Sequence, residues 1–151
     1  MNSKASVDAF VAQKTLALVG ASRNGKKFGN SILKELKGKG YTVLPVHPEA
    51  AEIDGETCYS TLQALPQEVG GAIFVVRPEQ TEHLVRDAKE AGIPRVWMQQ
   101  GAQSDEAVRF CRDNGIDVVE KECILMFAGE VKGIHAFHRW LWKIFGKLPR
   151  E

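Results

Sequence analysis

No stretch of this chain approaches the roughly eighteen consecutive apolar residues that a membrane-spanning helix needs, so no membrane role is expected. The opening MNSKASVDAFVAQ also lacks the apolar core of a signal peptide, and a cytoplasmic location is expected. Cysteine is scarce. Cys58, Cys111 and Cys123 are an odd number without CxxC or Cys/His zinc spacing, which argues against a disulfide framework or a zinc module and fits reduced thiols. Charge of one sign is missing too. Twenty basic residues against nineteen acidic ones leave +1, so the overall field offers nothing to nucleic acid or an anionic membrane. Any anion site must be local. No internal repeat, low-complexity segment or linker divides the 151 residues, and a single domain over 1–151 is expected.

What is present is a recurring alternation of short apolar runs with amphipathic ones. Ser6 is placed to cap a short helix in which Val7, Phe10 and Val11 share a face. The run Thr15 to Val19 then reads as a strand buried on both sides. Ile32, Leu33 and Leu36 recur at helical spacing until Gly38 and Gly40 stop the helix, and Tyr41 to Val46 is a second strand. Pro45 is expected at that strand's end, because proline cannot donate to a central ladder. The stretch from His47 to Glu68 reads as a loop with one short strand and a short helix near Leu62.

Gly71 to Val76 is the next buried strand, stopped by Arg77 and Pro78. The pattern then repeats: helix Glu79 to Ala91, strand Arg95 to Met98, helix Ser104 to Asn114 and strand Asp117 to Val119. Such alternation means right-handed βαβ crossovers, so the expected class is α/β, a Rossmann-like three-layer domain with a mainly parallel sheet. A last helix is expected over about 134–145, with Ile134, Phe137, Leu141, Ile144 and Phe145 on one face and Trp140 and Trp142 elsewhere. A helix apolar on more than one side is buried or covered by another subunit, so a homodimer or a protein partner through this helix is expected.

In open parallel sheets, ligands bind beyond the carboxyl ends of the strands, where the first strand-to-helix turn aims backbone N–H groups at a phosphate. Gly20-Ala21-Ser22-Arg23-Asn24-Gly25-Lys26-Lys27 stands at that turn. Its GxxxxGK spacing approaches a P-loop, but Lys27 replaces the Ser or Thr that holds magnesium, which argues against nucleoside triphosphate hydrolysis. Nor is the turn a GxGxxG dinucleotide fingerprint. The acid that would bond the ribose hydroxyls is missing as well, because the second strand ends Pro45-Val46-His47-Pro48. A ligand with a pyrophosphate and a further ribose phosphate suits the basic groups here, namely Arg23, Lys26, Lys27 and His47.

The order and spacing of several segments resemble the CoA-binding domain family, small proteins similar to the N-terminal half of the succinyl-CoA synthetase alpha subunit. The segments are Val19-Gly-Ala-Ser22, Pro45-Val-His-Pro48, Ile53-Asp-Gly55 with Cys58-Tyr59, Val76-Arg-Pro78, Val96-Trp-Met-Gln-Gln-Gly101 and Cys123. The resemblance implies coenzyme A or an acyl-CoA over the carboxyl edge of the sheet. Gly20, Ala21 and Ser22 would meet phosphate, while Val46, His47 and Pro48 would border the adenosine. Val76, Arg77 and Pro78 would follow the pantetheine, and Gln99, Gln100 and Gly101 would hydrogen-bond its amides. Two departures stand out: Lys121-Glu122-Cys123 replaces the family's frequent Asp-Arg-Cys, and His47 stands where an Asn is usual. The phosphorylated histidine and nucleotide-grasp domain of the larger synthetase lie outside the matched region, so binding without ligase chemistry is expected.

No catalytic residue and no metal ligand set is assigned. Cys123 has nothing nearby that clearly lowers its pKa. His135 and His138 share a helix face without an evident third ligand. Ser22 lacks a G-x-S-x-G elbow, and a phosphate-binding hydroxyl suits it better than a nucleophile. The leading reading is therefore a non-catalytic CoA or acyl-CoA binder acting as carrier, sensor or regulatory module. The alternatives are a nicotinamide-nucleotide-dependent oxidoreductase on the same fold, and a partner-binding domain whose nucleotide site has decayed.

Overall fold

Residues 2–129 are described by the structure, a computed structural model. The helix expected over about 134–145, with His135 and His138, lies outside the described residues. In chain order the elements are α1 (Lys4–Val11), β1 (Thr15–Val19), α2 (Phe28–Gly38), β2 (Thr42–Val46), β3 (Glu52–Ile53) and β4 (Glu56–Thr57). There follow β5 (Gly71–Phe74), α3 (Pro78–Glu90), β6 (Arg95–Gln99), α4 (Asp105–Asp113) and β7 (Asp117–Glu122).

Five strands form one parallel sheet in the order β2-β1-β5-β6-β7, and β3 and β4 form a separate hairpin. The side-chain period of two sorts the sheet's apolar residues onto two faces. Leu16, Leu18, Ile73, Trp97 and Val119 pack with Val7 and Phe10 of α1 and Ile32, Leu33 and Leu36 of α2. Ala17, Val19, Ala72, Phe74, Val96 and Met98 pack with Val85 and Ala88 of α3 and Ala107, Val108 and Cys111 of α4. Strands covered on both faces read as continuous apolar runs, as β1 and β5 do. The expected three-layer Rossmann-like class is the one observed.

Four local expectations are corrected. Ser3, not Ser6, caps α1, its side chain accepting from the Ser6 N–H at 3.0 Å, because Lys4 and Ala5 already favour helix. Ser6 Oγ instead donates to Asp117 at 2.6 Å, and the Asn2 amide pairs with the backbone of Glu120, so the N-terminal segment covers the outer edge of β7. Pro45 lies inside β2, not at its end. The strand is at the sheet's edge, and the Pro45 carbonyl accepts from the Tyr59 N–H at 3.0 Å, so its nitrogen also faces away from β1 and no ladder bond is lost.

The connection after β2 holds two short strands where one was expected. Asp54 and Gly55, at φ +50° and +81°, form the left-handed pair that a tight two-residue hairpin turn requires. Strand β7 runs past Val119 to Glu122 through a register shift opposite Met98 and Gln99, with Lys121 at φ +63°. Such a bulge re-aims the side chains that follow it.

Candidate functional site

All five strands run in one direction, so the turns after β1, β2, β5 and β6 share one edge of the sheet. Counting only sheet strands, the order is 2-1-3-4-5. Connections leave β1 and β5 toward opposite faces, and the crevice between those two strand ends is where such folds hold ligands.

Glycine is required twice in building that crevice. Gly20 sits at φ +126°, and a β-carbon on it would lie 2.2 Å from the Val75 carbonyl oxygen. Gly29, in the first turn of α2, approaches Gly20 so closely that its β-carbon would meet the Gly20 oxygen at 2.5 Å. The head of α2 is thereby pressed onto the end of β1. A helix N-terminus presents unsatisfied N–H groups and the positive end of the helix dipole. Among the described residues, the backbone N–H groups of Ala21, Arg23, Asn24, Phe28 and Gly29 donate to no protein acceptor.

Around these amides Arg23, Lys26 and Lys27 are exposed, and so is Arg77 beyond β5. Arg23 reaches Glu49 at 3.4 Å across solvent, an ion pair of little strength. His47 closes β2: its Nδ1 accepts from the N–H groups of Glu49 and Ala50 at 3.0 and 3.1 Å, which leaves the proton on Nε2. Val46 is buried and Pro48 exposed. After β5, Val76 is half-buried, Arg77 is the residue before α3, and Pro78 is its first residue.

The third cluster, after β6, is divided by burial. Gln99 is buried, and its Oε1 accepts from the Ile124 N–H at 3.1 Å, tying β6 to the segment after β7. Gln100 and Gly101 face solvent, and the Gly101 N–H donates to Gln103. Ser22 is similarly engaged: its N–H donates to Asn30 Oδ1 at 2.8 Å, and its hydroxyl lies 2.7 Å from Asn24 Oδ1. Asn24 Oδ1 itself accepts from the Lys26 N–H, so it can only be an acceptor and the Ser22 hydroxyl proton points to it.

Three contributors to this edge escape a reading of the sequence: Gly29, Asn30 and Asp54. Asn30 had a visible signal, a polar residue on the buried stripe of α2 beside Ile32 and Leu33. Asp54 stands in the Ile53-Asp-Gly55 segment that carries the resemblance, with nothing there to announce its contact with α2, and Gly29 had no signal that distinguishes it from an ordinary helix residue.

The three cysteines are free and buried. Burial pushes the Cys111 thiol up to about 12. It raises Cys123 as well, with a hydrogen bond to Gln99 acting against the shift, and raises Cys58. A raised thiol holds little thiolate and is a poor nucleophile. Among the described residues, no group of three or more His, Cys, Asp or Glu gathers for a metal, and no helix is long and apolar enough to cross a membrane. A groove of about 940 Å³ lies at the opposite, amino edge, between Lys14, Gln63, Glu68 and Glu90, and includes none of the residues singled out above.

An ADP-forming acetate–CoA ligase I from Archaeoglobus fulgidus is 30% identical over 136 residues, covering 83% of this chain and 20% of the relative. The alpha subunit of an ADP-forming acetate–CoA ligase II from Pyrococcus furiosus is 26% identical over 129 residues, covering 78% and 28%. The chain thus spans well under a third of these relatives' length. Among solved structures, a conserved hypothetical protein from Pyrococcus furiosus superposes with a TM-score of 0.70 at 43% identity, covering 74% of this chain and 96% of the other. One from Pyrococcus horikoshii gives 0.76 at 28% identity, with coverages of 82% and 87%. A family model described as a CoA binding domain matches residues 14–128. That match takes in every strand of the sheet and each turn at its carboxyl edge, and the chain belongs to the CoA-binding domain family.

Proposed function

We propose that the protein binds coenzyme A or an acyl-CoA at the carboxyl edge of its sheet, without catalysis of its own, and acts in the cytoplasm as a carrier, sensor or regulatory module. The observation that carries this reading is the contact of Gly29 with Gly20, which sets the open N–H groups of Phe28 and Gly29 at the mouth of the crevice. A pyrophosphate accepts such amides, and Arg23, Lys26 and Lys27 add mobile positive charge around it. In this reading Gly20 and Ala21 approach the phosphates, while Ser22 keeps the loop in shape. Val46, His47 and Pro48 border the adenosine, His47 offering its Nε2 proton. Val76, Arg77 and Pro78 line the pantetheine arm, and Gln100 and Gly101 meet its amides, with Gln99 holding their strand end.

The chain corresponds to 20–28% of the length of the ligases it resembles, and the proposal concerns binding by this part alone. Free, buried thiols suit a reducing compartment. Calorimetric titration with CoA, dephospho-CoA, NAD and NADP tests the reading. Tightest binding of CoA supports it, tightest binding of a nicotinamide nucleotide replaces it with the oxidoreductase reading, and silence throughout leaves a partner-binding domain.

A further inference from the structure

Asn30 is the most heavily bonded polar side chain near the Gly20 turn, and it is 4% exposed. Its Oδ1 accepts from the Ser22 N–H at 2.8 Å and the Lys27 N–H at 3.3 Å, and lies 3.1 Å from the Ser22 hydroxyl. Its Nδ2 donates to the Ser22 carbonyl at 2.9 Å and to Asp54 Oδ2 at 2.8 Å. Only one amide orientation satisfies this set. The flipped amide would set an NH2 against two N–H groups and an oxygen against a carbonyl and a carboxylate.

Asp54 in turn is held from outside the loop. It sits in the left-handed turn of the β3–β4 hairpin, which is anchored by Ile53 in the core and by the Lys37–Glu56 ion pair to α2. Asp54 Oδ1 also lies 3.3 Å from where a β-carbon on Gly25 would stand, so the hairpin turn lies directly behind the loop. A carboxylate this close to an anion-binding turn would by itself repel the ligand, which makes a second role for it worth testing.

We infer that Asn30 is a positioning residue, oriented by Asp54, that holds the segment from Ser22 to Lys27 in its anion-binding shape and couples it to the hairpin. The ligand half of this inference rests on the CoA reading above; the loop half does not. Asn30 holds the Ser22 and Lys27 amides on its own oxygen, while the Arg23 and Asn24 amides between them donate to no protein acceptor among the described residues. Preorganisation of this kind removes the ordering cost that a ligand would otherwise meet.

The test uses Asn30→Asp, Asp54→Gly and Asp54→Asn in the full chain. Glycine and asparagine both tolerate the positive φ at position 54, so neither strains the turn. Two quantities are measured: CoA affinity by calorimetry, and hydrogen exchange of the Ser22 and Lys27 amides by NMR without ligand. Asn30→Asp puts an oxygen in place of Nδ2, against both the Ser22 carbonyl and the Asp54 carboxylate, and is expected to weaken CoA by about tenfold or more. Asp54→Gly is expected to weaken it by about threefold, because the exposed carboxylate is screened. Asp54→Asn keeps an acceptor for Asn30 and is expected within about twofold of the parent.

Exchange of the two amides should quicken in Asn30→Asp and Asp54→Gly and stay slow in Asp54→Asn. Tighter CoA binding in both Asp54 variants would show that the carboxylate merely repels the ligand, and would overturn the inference. Unchanged exchange in Asp54→Gly would overturn it as well, and decides the matter if Asn30→Asp fails to fold. A parent protein that ignores CoA yet shows the expected exchange pattern refutes the CoA reading and leaves the positioning role standing.

Discussion

The α-carbon of Gly29 rests against the carbonyl of Gly20, so that a β-carbon on Gly29 would stand 2.5 Å from that oxygen and 2.8 Å from the Ala21 nitrogen. Backbone on both sides leaves no flexible side chain to give way. Gly29→Ala is therefore expected to destabilise the fold by about 1–3 kcal/mol, typical of forced overpacking. Gly38, in the last turn of the same helix, has nothing within 4 Å of its β-position, and Gly38→Ala is expected to stabilise by up to about 1 kcal/mol. Urea denaturation compares the two; equal midpoints would refute the close packing of α2 on β1.

Lys26 is exposed at the tip of the loop. If it draws the ligand's phosphates through solvent, Lys26→Ala should weaken CoA binding by about threefold or more in a low-salt buffer, where the Debye length is about 30 Å. At about 1 M salt the length is near 3 Å and the difference should shrink. An equal loss at both salt concentrations would remove Lys26 from the electrostatic account.

The buried thiols make stability depend on alkaline pH. Cys111, with an ordinary value of 9.0, is pushed up to about 12, so the unfolded chain releases this proton near pH 9 while the folded chain retains it. The folded state's advantage is complete below pH 9 and is lost as pH rises toward 12, at up to about 1.4 kcal/mol per pH unit for one such group. Burial shifts Cys123, Cys58 and Tyr41 in the same direction and adds to the slope. Cys111→Ala should flatten the fall in unfolding free energy between pH 9 and 11. An unaltered slope would contradict the assignment.

Trp97 is fully buried, tilted against Phe10 with ring centroids 5.3 Å apart, and its Nε1 donates to the Glu122 carbonyl at 2.9 Å. Trp97→Phe keeps most of the apolar contact but removes the only donor the side chain has. The loss is expected to cost about 1–3 kcal/mol and to loosen the end of β7. Faster hydrogen exchange confined to that strand end would agree, and an unchanged denaturation midpoint would not.

The buried strands were readable because burial on both faces leaves a signature that no neighbour can disguise: Thr15 to Val19 and Gly71 to Phe74 are almost wholly apolar. The turn at Gly20 was readable because its position follows from the first strand and its glycines. Polar residues that are structural in this fold were harder. Glu120 and Glu122 are buried within β7, yet their charge reads as the end of a strand, and the bulge at Lys121 that admits them is a tertiary effect. Ser6 looked like a cap because Val7 follows it, whereas the helix began a turn earlier and left Ser6 to bond Asp117, 111 residues away. Asn30 and Asp54 come together only because the hairpin folds back onto α2, a pairing between residues 24 apart that no local pattern announces. The positions of Val46 to Pro48 and Val76 to Pro78 followed from the parallel sheet, while their link to coenzyme A came through family resemblance.

Coenzyme A held at the carboxyl edge must perturb the amides of that edge, and their chemical shifts during a CoA titration report this residue by residue. The largest shifts are predicted at Ala21, Arg23, Phe28, Gly29 and Arg77, with the amides of Gly70 and Gly92 at the amino edge left in place. Shifts gathered around the amino-edge groove, or none at saturating CoA, would contradict it.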